Sequence, residues 1–311
     1  MNHVRIHRAV LLFIFLVSVI FHRAFAATIL LQPVADTTLI EFAPTNNLGG
    51  STFVNAGTAG QIGARNRGLY KFDFSSIPPN SKIKSAAVTL EVVQEPGSGG
   101  ISSMFDLHRL LKSWGEGDKY TNVSPGLGVS ATVDEATWNS RFALTTNTWT
   151  SPGASNDYAT AVSSSTPVYG VADFPHFNST PQMIADVQMW LDNPASNFGW
   201  LLKSESEATA KTARGFGSRE FAGADVNSPP YVAVEFVPPP TIFGTQITNS
   251  QLKFSFTAES NQAYVVEFKN VVVSTNSWLA LTNIVAPIVS TNILVSDTIS
   301  TNARFYRVVA P

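Results

Sequence analysis

Hydrophobic and polar residues alternate along much of the chain with the period of two that is typical of β-strands. In the segment 68–74, Tyr70, Phe72 and Phe74 face one way, while charged residues such as Lys71 face the other. Similar segments predict strands over 27–34, 84–93, 104–111, 199–203 and 231–237. Turns rich in Gly, Pro, Asn and Ser separate them. The pattern therefore predicts an all-β fold.

One segment instead has the spacing of an amphipathic helix. Thr180 suits the N-cap, and Pro181 suits the first turn. The apolar positions that follow form one stripe, namely Met183, Ile184, Val187, Trp190 and Leu191. Asn193-Pro194 predicts the end of the helix. A single helix among many strands predicts a cap on a β-sandwich and not a βαβ repeat.

Residues 1–26 have the composition of a secretory signal. Arg5 and Arg8 supply a basic start, residues 9–21 an apolar run, and Ala24-Phe25-Ala26 a small-residue cleavage site. The run is shorter than the roughly 20 residues that a membrane-spanning helix needs. We therefore expect an exported chain, secreted or at the cell surface, with no membrane segment after cleavage.

A polyproline stretch, Val237-Pro238-Pro239-Pro240, predicts a stiff joint between two domains. We expect a larger β-sandwich over residues 27–237 and a small β-sandwich, an accessory domain, over residues 238–311. The short strands expected in the second domain cover 252–256, 264–268, 293–296 and 305–309.

The composition narrows the classes of function. The chain has no Cys, which excludes a disulfide framework, a thiolate zinc site, an iron–sulfur cluster and a Cys nucleophile. The formal net charge is −2, and it becomes −5 once Arg5, Arg8 and Arg23 leave with the signal segment. A phosphate-binding domain is expected to be basic, so nucleic acid is not an expected partner.

Several short motifs follow one another in an order and at a spacing that identify a family. The pieces are Asp36-Thr37-Thr38, Pro44 to Thr52 (PTNNLGGST), Arg67 to Pro78 (RGLYKFDFSSIP), Ser113 to Gly117 (SWGEG), Ala136 to Asn139 (ATWN), Asn197 to Leu202 (NFGWLL), Arg214 to Glu220 (RGFGSRE) and Pro229-Pro230-Tyr231. Together they resemble the DNRLRE domain over about residues 28–237. The resemblance implies a jelly-roll-like β-sandwich of secreted and cell-surface bacterial proteins. Some members bind alginate, an acidic polysaccharide, and many have no known ligand.

An acidic polysaccharide would be held by cations, since Arg and Lys form charge-assisted hydrogen bonds with carboxylates. The candidate ligand-binding residues are Arg65, Arg67, Lys71, His108, Arg109, Arg214 and Arg219. The alternative is that each pairs with an acidic neighbour across the strands. Because the net charge opposes a polyanion, binding predicts that these cations gather on one concave sheet face.

A neutral sugar would be held by exposed aromatic side chains, which stack on pyranose rings. Tyr120 and Trp149 are the candidates, because they lie in the long irregular stretch 113–169. Trp114 and Trp138 lie there too, but they belong to the family motifs and are expected to fill the core.

A structural Ca²⁺ ion is a further expectation, since hard cations take oxygen ligands from carboxylates and amides. Asp36, Glu41 and Asn47 are the candidate ligands within one short segment, and Glu220 or Asp225 would join from the far end of the chain. The alternative is that these residues only form turns.

Catalysis has little support in the sequence. No G-x-S-x-G motif occurs, and the neighbouring acids fall in expected loops, where acids are usually solvated. These acids are Glu116 with Asp118, Asp134 with Glu135, and Glu205 with Glu207. We therefore expect a secreted, non-catalytic carbohydrate-binding module, with an acidic polysaccharide such as alginate as partner. The alternatives are a structural or adhesive spacer without a ligand, and a polysaccharide lyase or hydrolase, for which His108 and Tyr120 are the lyase candidates.

Overall fold

The computed structural model describes residues 26–60, 64–97, 99–222, 228–270, 277–299 and 303–311. The expected signal segment up to residue 25 lies outside these ranges, and so does Asp225. Within the described ranges, no helix has the length and apolar character that crossing a membrane requires.

The chain before the proline segment folds mainly into strands. They are β1 (Ala27–Leu31), β2 (Pro33–Ile40), β3 (Asn46–Asn47), β4 (Phe53–Thr58), β5 (Arg65–Phe72), β6 (Lys82–Thr89), β7 (Val92–Gln94), β8 (Ser103–Leu110), β9 (Val129–Ser130), β10 (Tyr158–Val168), β11 (His176–Phe177), β12 (Trp200–Ser204), β13 (Arg214–Gly217) and β14 (Tyr231–Val237). Helix α1 (Pro181–Asp192) and the one-turn helix α2 (Arg219–Ala222) interrupt them. The predicted all-β fold is confirmed.

Two antiparallel sheets pack face to face. The smaller sheet has the order β1-β14-β6-β11, and the larger has the order β10-β8-β12-β5-β4-β13-β7, with β2 also paired to β5. Side chains of both sheets share one core, for example Val88 and Val234 from the first, and Tyr70, Phe105 and Trp200 from the second. The burial of this apolar surface is the main force that holds the sandwich together.

Helix α1 begins and ends where the sequence predicts. The Thr180 hydroxyl accepts a hydrogen bond from the Met183 backbone N–H at 3.0 Å, which caps the first turn. Met183, Val187 and Trp190 are buried in the core of the sandwich. The helix therefore caps the sandwich, as its apolar stripe indicates.

The stretch 113–169 is less irregular than expected. Its last part forms β10, which pairs with β8 at one end of the larger sheet. The part before β10 lies over the outer face of the same sheet. There Trp138 and Trp149 form a second cluster with Leu39, Leu69 and Leu201. The outer face of this sheet is thus partly covered by the chain's own loop.

Beyond the proline segment, the regular elements among the described residues are all strands. They are β15 (Ile242–Thr248), β16 (Gln251–Ala258), β17 (Tyr264–Lys269), β18 (Leu279–Ile284), β19 (Thr291–Thr298) and β20 (Phe305–Val309). They make two three-stranded sheets, β15-β16-β19 and β18-β17-β20. A separate core that includes Phe254, Phe256, Tyr264 and Val295 lies between these sheets.

Candidate functional site

Arg67 lies beneath the covering loop and is 3 % exposed. Its Nε and Nη2 donate to the two carboxylate oxygens of Glu207 at 2.7 and 2.8 Å. Its Nη1 donates to the Gly153 carbonyl at 2.6 Å. All three guanidinium nitrogens thus donate to protein acceptors, so Arg67 is not available to bind an external ligand.

Arg65 shares the outer face of β5 with Arg67, and its guanidinium carbon lies 5.3 Å from the ring centroid of Trp138. It pairs through two nitrogens with the carboxylate of Glu41. The hydrogen bond from Arg65 lowers the pKa of Glu41. Both members of this pair, one a predicted ligand contact and one a predicted metal ligand, are therefore engaged with each other.

His108 and Arg109 are adjacent on β8 and face opposite sides of the sheet. His108 is buried, with its Nδ1 at 3.0 Å from the Ala159 carbonyl and its Nε2 at 3.8 Å from an Asp106 oxygen. Arg109 donates from Nε to the buried Asp186 of helix α1 at 3.0 Å. The two neighbours therefore do not act on one ligand.

Arg214 and Arg219 lie at two further places. Arg214 is 2 % exposed and donates to backbone carbonyls, among them those of Ala213 at 2.8 Å and Ile101 at 3.2 Å. Burial lowers its pKa. Arg219 bridges Glu116 and Glu220 through Nη2, at 3.1 and 3.0 Å. The predicted cations are thus spread over several parts of the sandwich and are mostly paired within it.

Lys71 is the exception among these cations. It is half-buried and lines a cavity of about 520 Å³ with Asp73, Trp190 and Asn197. Within the described part of the chain, its ammonium makes no hydrogen bond or ion pair. Lys71 is therefore a cation that remains open to a ligand.

The two aromatic candidates differ. Trp149 is 3 % exposed, and its Nε1 donates to the Thr137 carbonyl at 2.8 Å. It fills the cluster under the loop with Trp138, so it offers no stacking face to a sugar. Tyr120 is 59 % exposed, and its role in stacking stays a prediction.

The expected Ca²⁺ ligands do not converge. Asp36 and Glu41 are five residues apart on nearly extended chain, which separates their backbones by about 16 Å. Asn47 is fully buried, and its amide nitrogen donates to the carbonyls of Glu116 and Ala136 at 2.7 and 2.9 Å. Its amide oxygen accepts from Gly49 N–H at 2.9 Å. Asn47 therefore fixes loops and has no ligand position to spare.

The expected approach of Glu220 to Asp36 does occur, with Glu116 as a member that the sequence analysis did not include. The Asp36 backbone N–H donates to Glu116 at 2.9 Å, and Asp36 accepts from the Arg219 backbone N–H at 2.8 Å. Burial raises the pKa of Asp36 well above its usual range, and burial also raises that of Glu116. The cation at this cluster is Arg219 itself. Among the described residues, no three His, Asp or Glu side chains are grouped so as to hold a metal ion.

Four of the six acids considered for catalysis have structural partners, namely Glu116, Asp118, Glu135 and Glu207. Glu135 accepts from Lys119 at 3.0 Å and from the Thr132 backbone N–H at 2.6 Å. Glu207 is the partner of Arg67, as described above. These carboxylates hold loops and strands in place.

A groove on the outer surface brings together residues that the sequence analysis did not single out. Asn55 of β4, Gly215 of β13 and Gln94 of β7 lie opposite one another on three neighbouring strands. Directly opposed residues share a face of the sheet. The adjacent row, which includes Val54 and Phe216, is buried in the core, so the first row faces outward.

Gly215, in the middle of this row, has no side chain to separate Asn55 from Gln94. A Cβ at this position would lie 2.9 Å from the Cβ of Gln94 and 3.3 Å from Oδ1 of Asn55. The absence of a side chain at Gly215 therefore lets the side chains of Asn55 and Gln94 approach each other. Both amides line the groove.

The groove has a volume of about 610 Å³. Asn66 also lines it, and Phe42, Pro125 and Leu127 contribute apolar surface. Phe42 is 60 % exposed. Pro125 and Leu127 belong to the loop stretch 113–157, so this long loop does contribute to the candidate site, as its length indicates.

The amide groups of Asn55, Asn66 and Gln94 share one further property. Within the described ranges, none of these three side chains forms a hydrogen bond with the protein. Gln94 is exposed, Asn55 is half-buried and Asn66 is buried. Most amides in folded proteins are satisfied by protein or water. These three amides can therefore exchange water for the polar groups of a ligand.

Scans against protein-family models and against curated proteins found no match to this chain. The resemblance to the DNRLRE domain and the alginate partner that it implies therefore stay predictions from the sequence.

Proposed function

We propose that the chain is an exported, non-catalytic module that binds a polysaccharide in the amide-lined groove. The observation that carries the proposal is the row formed by Asn55, Gly215 and Gln94, beside the exposed ring of Phe42. Its two amide side chains have no hydrogen-bond partner among the residues that the structure describes. An amide both donates and accepts hydrogen bonds, so it matches sugar hydroxyls in either role. The ring of Phe42 supplies an apolar surface for the C–H face of a pyranose.

The proposal does not include catalysis, because several of the candidate acids are engaged in structural contacts. Of the six acids that were candidates for catalysis, Glu116, Glu135 and Glu207 each pair with a cation or a backbone N–H. Export is proposed from the basic start and apolar run of residues 1–26.

Affinity gel electrophoresis tests this function. The protein is run through gels that contain glucan, mannan, galactan, xylan, alginate or pectate, and its mobility is compared with a gel without polysaccharide. We expect retardation by at least one polymer. The double variant Asn55→Ala and Gln94→Ala should bind about thirtyfold more weakly, because two hydrogen bonds of about 1 kcal/mol each are lost.

Gln246→Ala is the matched control, because Gln246 is an exposed amide on β15, outside the groove. It should be retarded like the wild type. Equal retardation of the wild type and the double variant would place the binding elsewhere. No retardation by any polymer would contradict the proposal.

A rigid spacer without a ligand is the second candidate function. It is favoured by the internal pairing of the predicted cations, for example Arg65 with Glu41 and Arg109 with Asp186. The same electrophoresis separates the two functions, because a spacer is retarded by none of the polymers.

A further inference from the structure

We infer that a cavity beside helix α1 binds a small carboxylate with an apolar body, an inference that does not rest on the proposed function. The cavity has a volume of about 520 Å³, and no described residue lines both this cavity and the groove. Small-molecule sites usually have volumes of roughly 300–1,000 Å³. Part of the lining comes from the end of β5 and the turn after it, and part from the end of α1 and the turn after that helix.

Most of the cavity lining is apolar. The rings of Phe74 and Trp190 stack with their centroids 5.8 Å apart, and both residues line the cavity. Val34, Ile77 and Leu191 add aliphatic surface. Because the burial of apolar surface is favourable, these walls favour a ligand that carries an aromatic or aliphatic group.

Three polar side chains of the lining already have partners in the protein. The carboxylate of Asp73 accepts from the backbone N–H of Ser75 at 2.9 Å and from its hydroxyl at 2.8 Å. The amide nitrogen of Asn197 donates to the Phe72 carbonyl at 2.7 Å, and its amide oxygen accepts from the Gly199 N–H at 3.2 Å. These contacts engage Asp73, Ser75 and Asn197 with the surrounding chain.

Two polar groups of the lining have no partner among the described residues, and both are donors. The ammonium of Lys71 forms no hydrogen bond or ion pair there, and the indole Nε1 of Trp190 is buried without an acceptor. Lysine and tryptophan side chains have no acceptor atom, and an unsatisfied buried donor is costly. A carboxylate supplies two acceptor oxygens and the charge opposite to that of Lys71, so it complements this lining.

Asp73 is the acidic residue of the lining, and its charge opposes an anionic ligand only weakly. Asp73 is exposed, whereas Lys71 is half-buried, so water screens the carboxylate more than the ammonium. Two like charges 4 Å apart in a water-like surrounding change an affinity by roughly fivefold. Asp73→Asn should therefore raise the affinity for a carboxylate by at most about fivefold.

The test uses three probes that share a phenyl ring on a short alkyl chain and differ in charge, namely 3-phenylpropanoate, its uncharged amide and 3-phenylpropylammonium. Acetate is the fourth probe, because it has the carboxylate without the apolar body. Calorimetric titration measures their binding to the wild type, to Lys71→Met and to the control Lys112→Met, and urea unfolding checks that each variant is folded. Lys112 is an exposed lysine that does not line the cavity.

We expect the wild type and Lys112→Met to bind 3-phenylpropanoate at least about tenfold more tightly than the amide, because the amide loses a hydrogen bond between charged groups. Acetate and the ammonium probe should bind more weakly than 3-phenylpropanoate, and Lys71→Met should lose the preference for the carboxylate. Equal binding of 3-phenylpropanoate and its amide, a preference that survives Lys71→Met, tighter binding of the ammonium probe, or no binding of any probe would each overturn the inference. The polysaccharide experiments test the groove separately.

Discussion

The guanidinium carbon of Arg67 lies 5.5 Å from the ring centroid of Trp138, beneath the loop that covers the larger sheet. This cation and this aromatic residue are contributed by distant parts of the chain, and both are buried. Contacts of this kind contribute up to about 2 kcal/mol when they are desolvated. Arg67 therefore attaches the loop to the sheet, and this role replaces the ligand contact that the sequence predicts for it.

Arg67→Ala should lower the free energy of unfolding by about 3–5 kcal/mol, because the carboxylate of Glu207 is left without its partner. The retardation by polysaccharide should not change as long as the protein is folded. Urea unfolding and affinity electrophoresis measure the two properties. Lys71→Ala is the control, with an expected change within about 0.5 kcal/mol. If Arg67→Ala were as stable as the wild type but no longer bound polysaccharide, Arg67 would be a ligand contact and not a structural residue.

Trp149→Ala should lower the free energy of unfolding by about 3–5 kcal/mol, because it leaves a cavity between the loop and the sheet. Thermal or urea unfolding checks this value. Tyr120→Ala is the matched surface change and should have little effect on stability. If Trp149→Ala reduced polysaccharide binding and left stability unchanged, Trp149 would be a stacking residue after all.

Asp186→Ala should be among the most destabilising changes in helix α1. Asp186 is fully buried and accepts hydrogen bonds from Arg109 at 3.0 Å, Ser163 at 2.6 Å and Trp200 at 3.2 Å. Removal of the carboxylate leaves the guanidinium of Arg109 unpaired, at an expected cost of about 3–5 kcal/mol. Asp192→Ala, at the exposed end of the same helix, is the control for urea unfolding. Equal stability of the two variants would contradict the role of Asp186.

Asp36→Asn should change how stability depends on pH. Burial raises the pKa of Asp36, so the folded state holds the proton more tightly than the unfolded state does. The contribution of Asp36 is therefore most favourable at acid pH, and it falls as pH rises above about 4, the ordinary value of Asp. Relative to Asp36→Asn, the wild type should become progressively less stable between pH 4 and pH 7.

Urea unfolding at several pH values measures this difference. The charges that face Asp36 are those of Glu116, Glu220 and Arg219, and they are unchanged by the substitution. Glu205→Gln, a surface acid, should run parallel to the wild type. Parallel curves for Asp36→Asn as well would show that Asp36 does not titrate as its burial requires.

Much of the fold follows from local sequence patterns. The period-two segments Tyr231–Val237 and Phe305–Val309 are strands with the predicted bounds. The cap at Thr180 and the stop after Asp192 delimit helix α1 as predicted. These elements carry their own signals, namely alternation and capping residues, and need no knowledge of their neighbours.

The sequence pattern does not predict strand β10, and there is a physical reason for this. Its segment is rich in Ser and Thr and contains Pro167, a composition that is typical of a loop. It forms a strand because it pairs with β8. Two of its hydroxyls also donate hydrogen bonds to distant residues, Ser163 to Asp186 and Ser164 to the Asn178 carbonyl. Such tertiary partners override local propensity.

The candidate site was harder to predict than the fold. Arg67 and Glu207 are 140 positions apart in the chain, so the sequence gives no sign that one neutralises the other. Likewise, Asn55, Gln94 and Gly215 resemble ordinary turn or strand residues until pairing of three strands places them in one row. The alternation of Gly215 with Phe216 is the one local sign of an open outer face at that point.

The most direct test of the account is an NMR titration of the side-chain amide resonances with a neutral oligosaccharide taken from a polymer that retards the protein. We predict that the side-chain signals of Asn55, Asn66 and Gln94 shift together with one dissociation constant, while that of Gln246 stays in place. Shifts that leave these three signals unchanged and appear around Lys71 or Tyr120 instead would contradict the groove as the binding site.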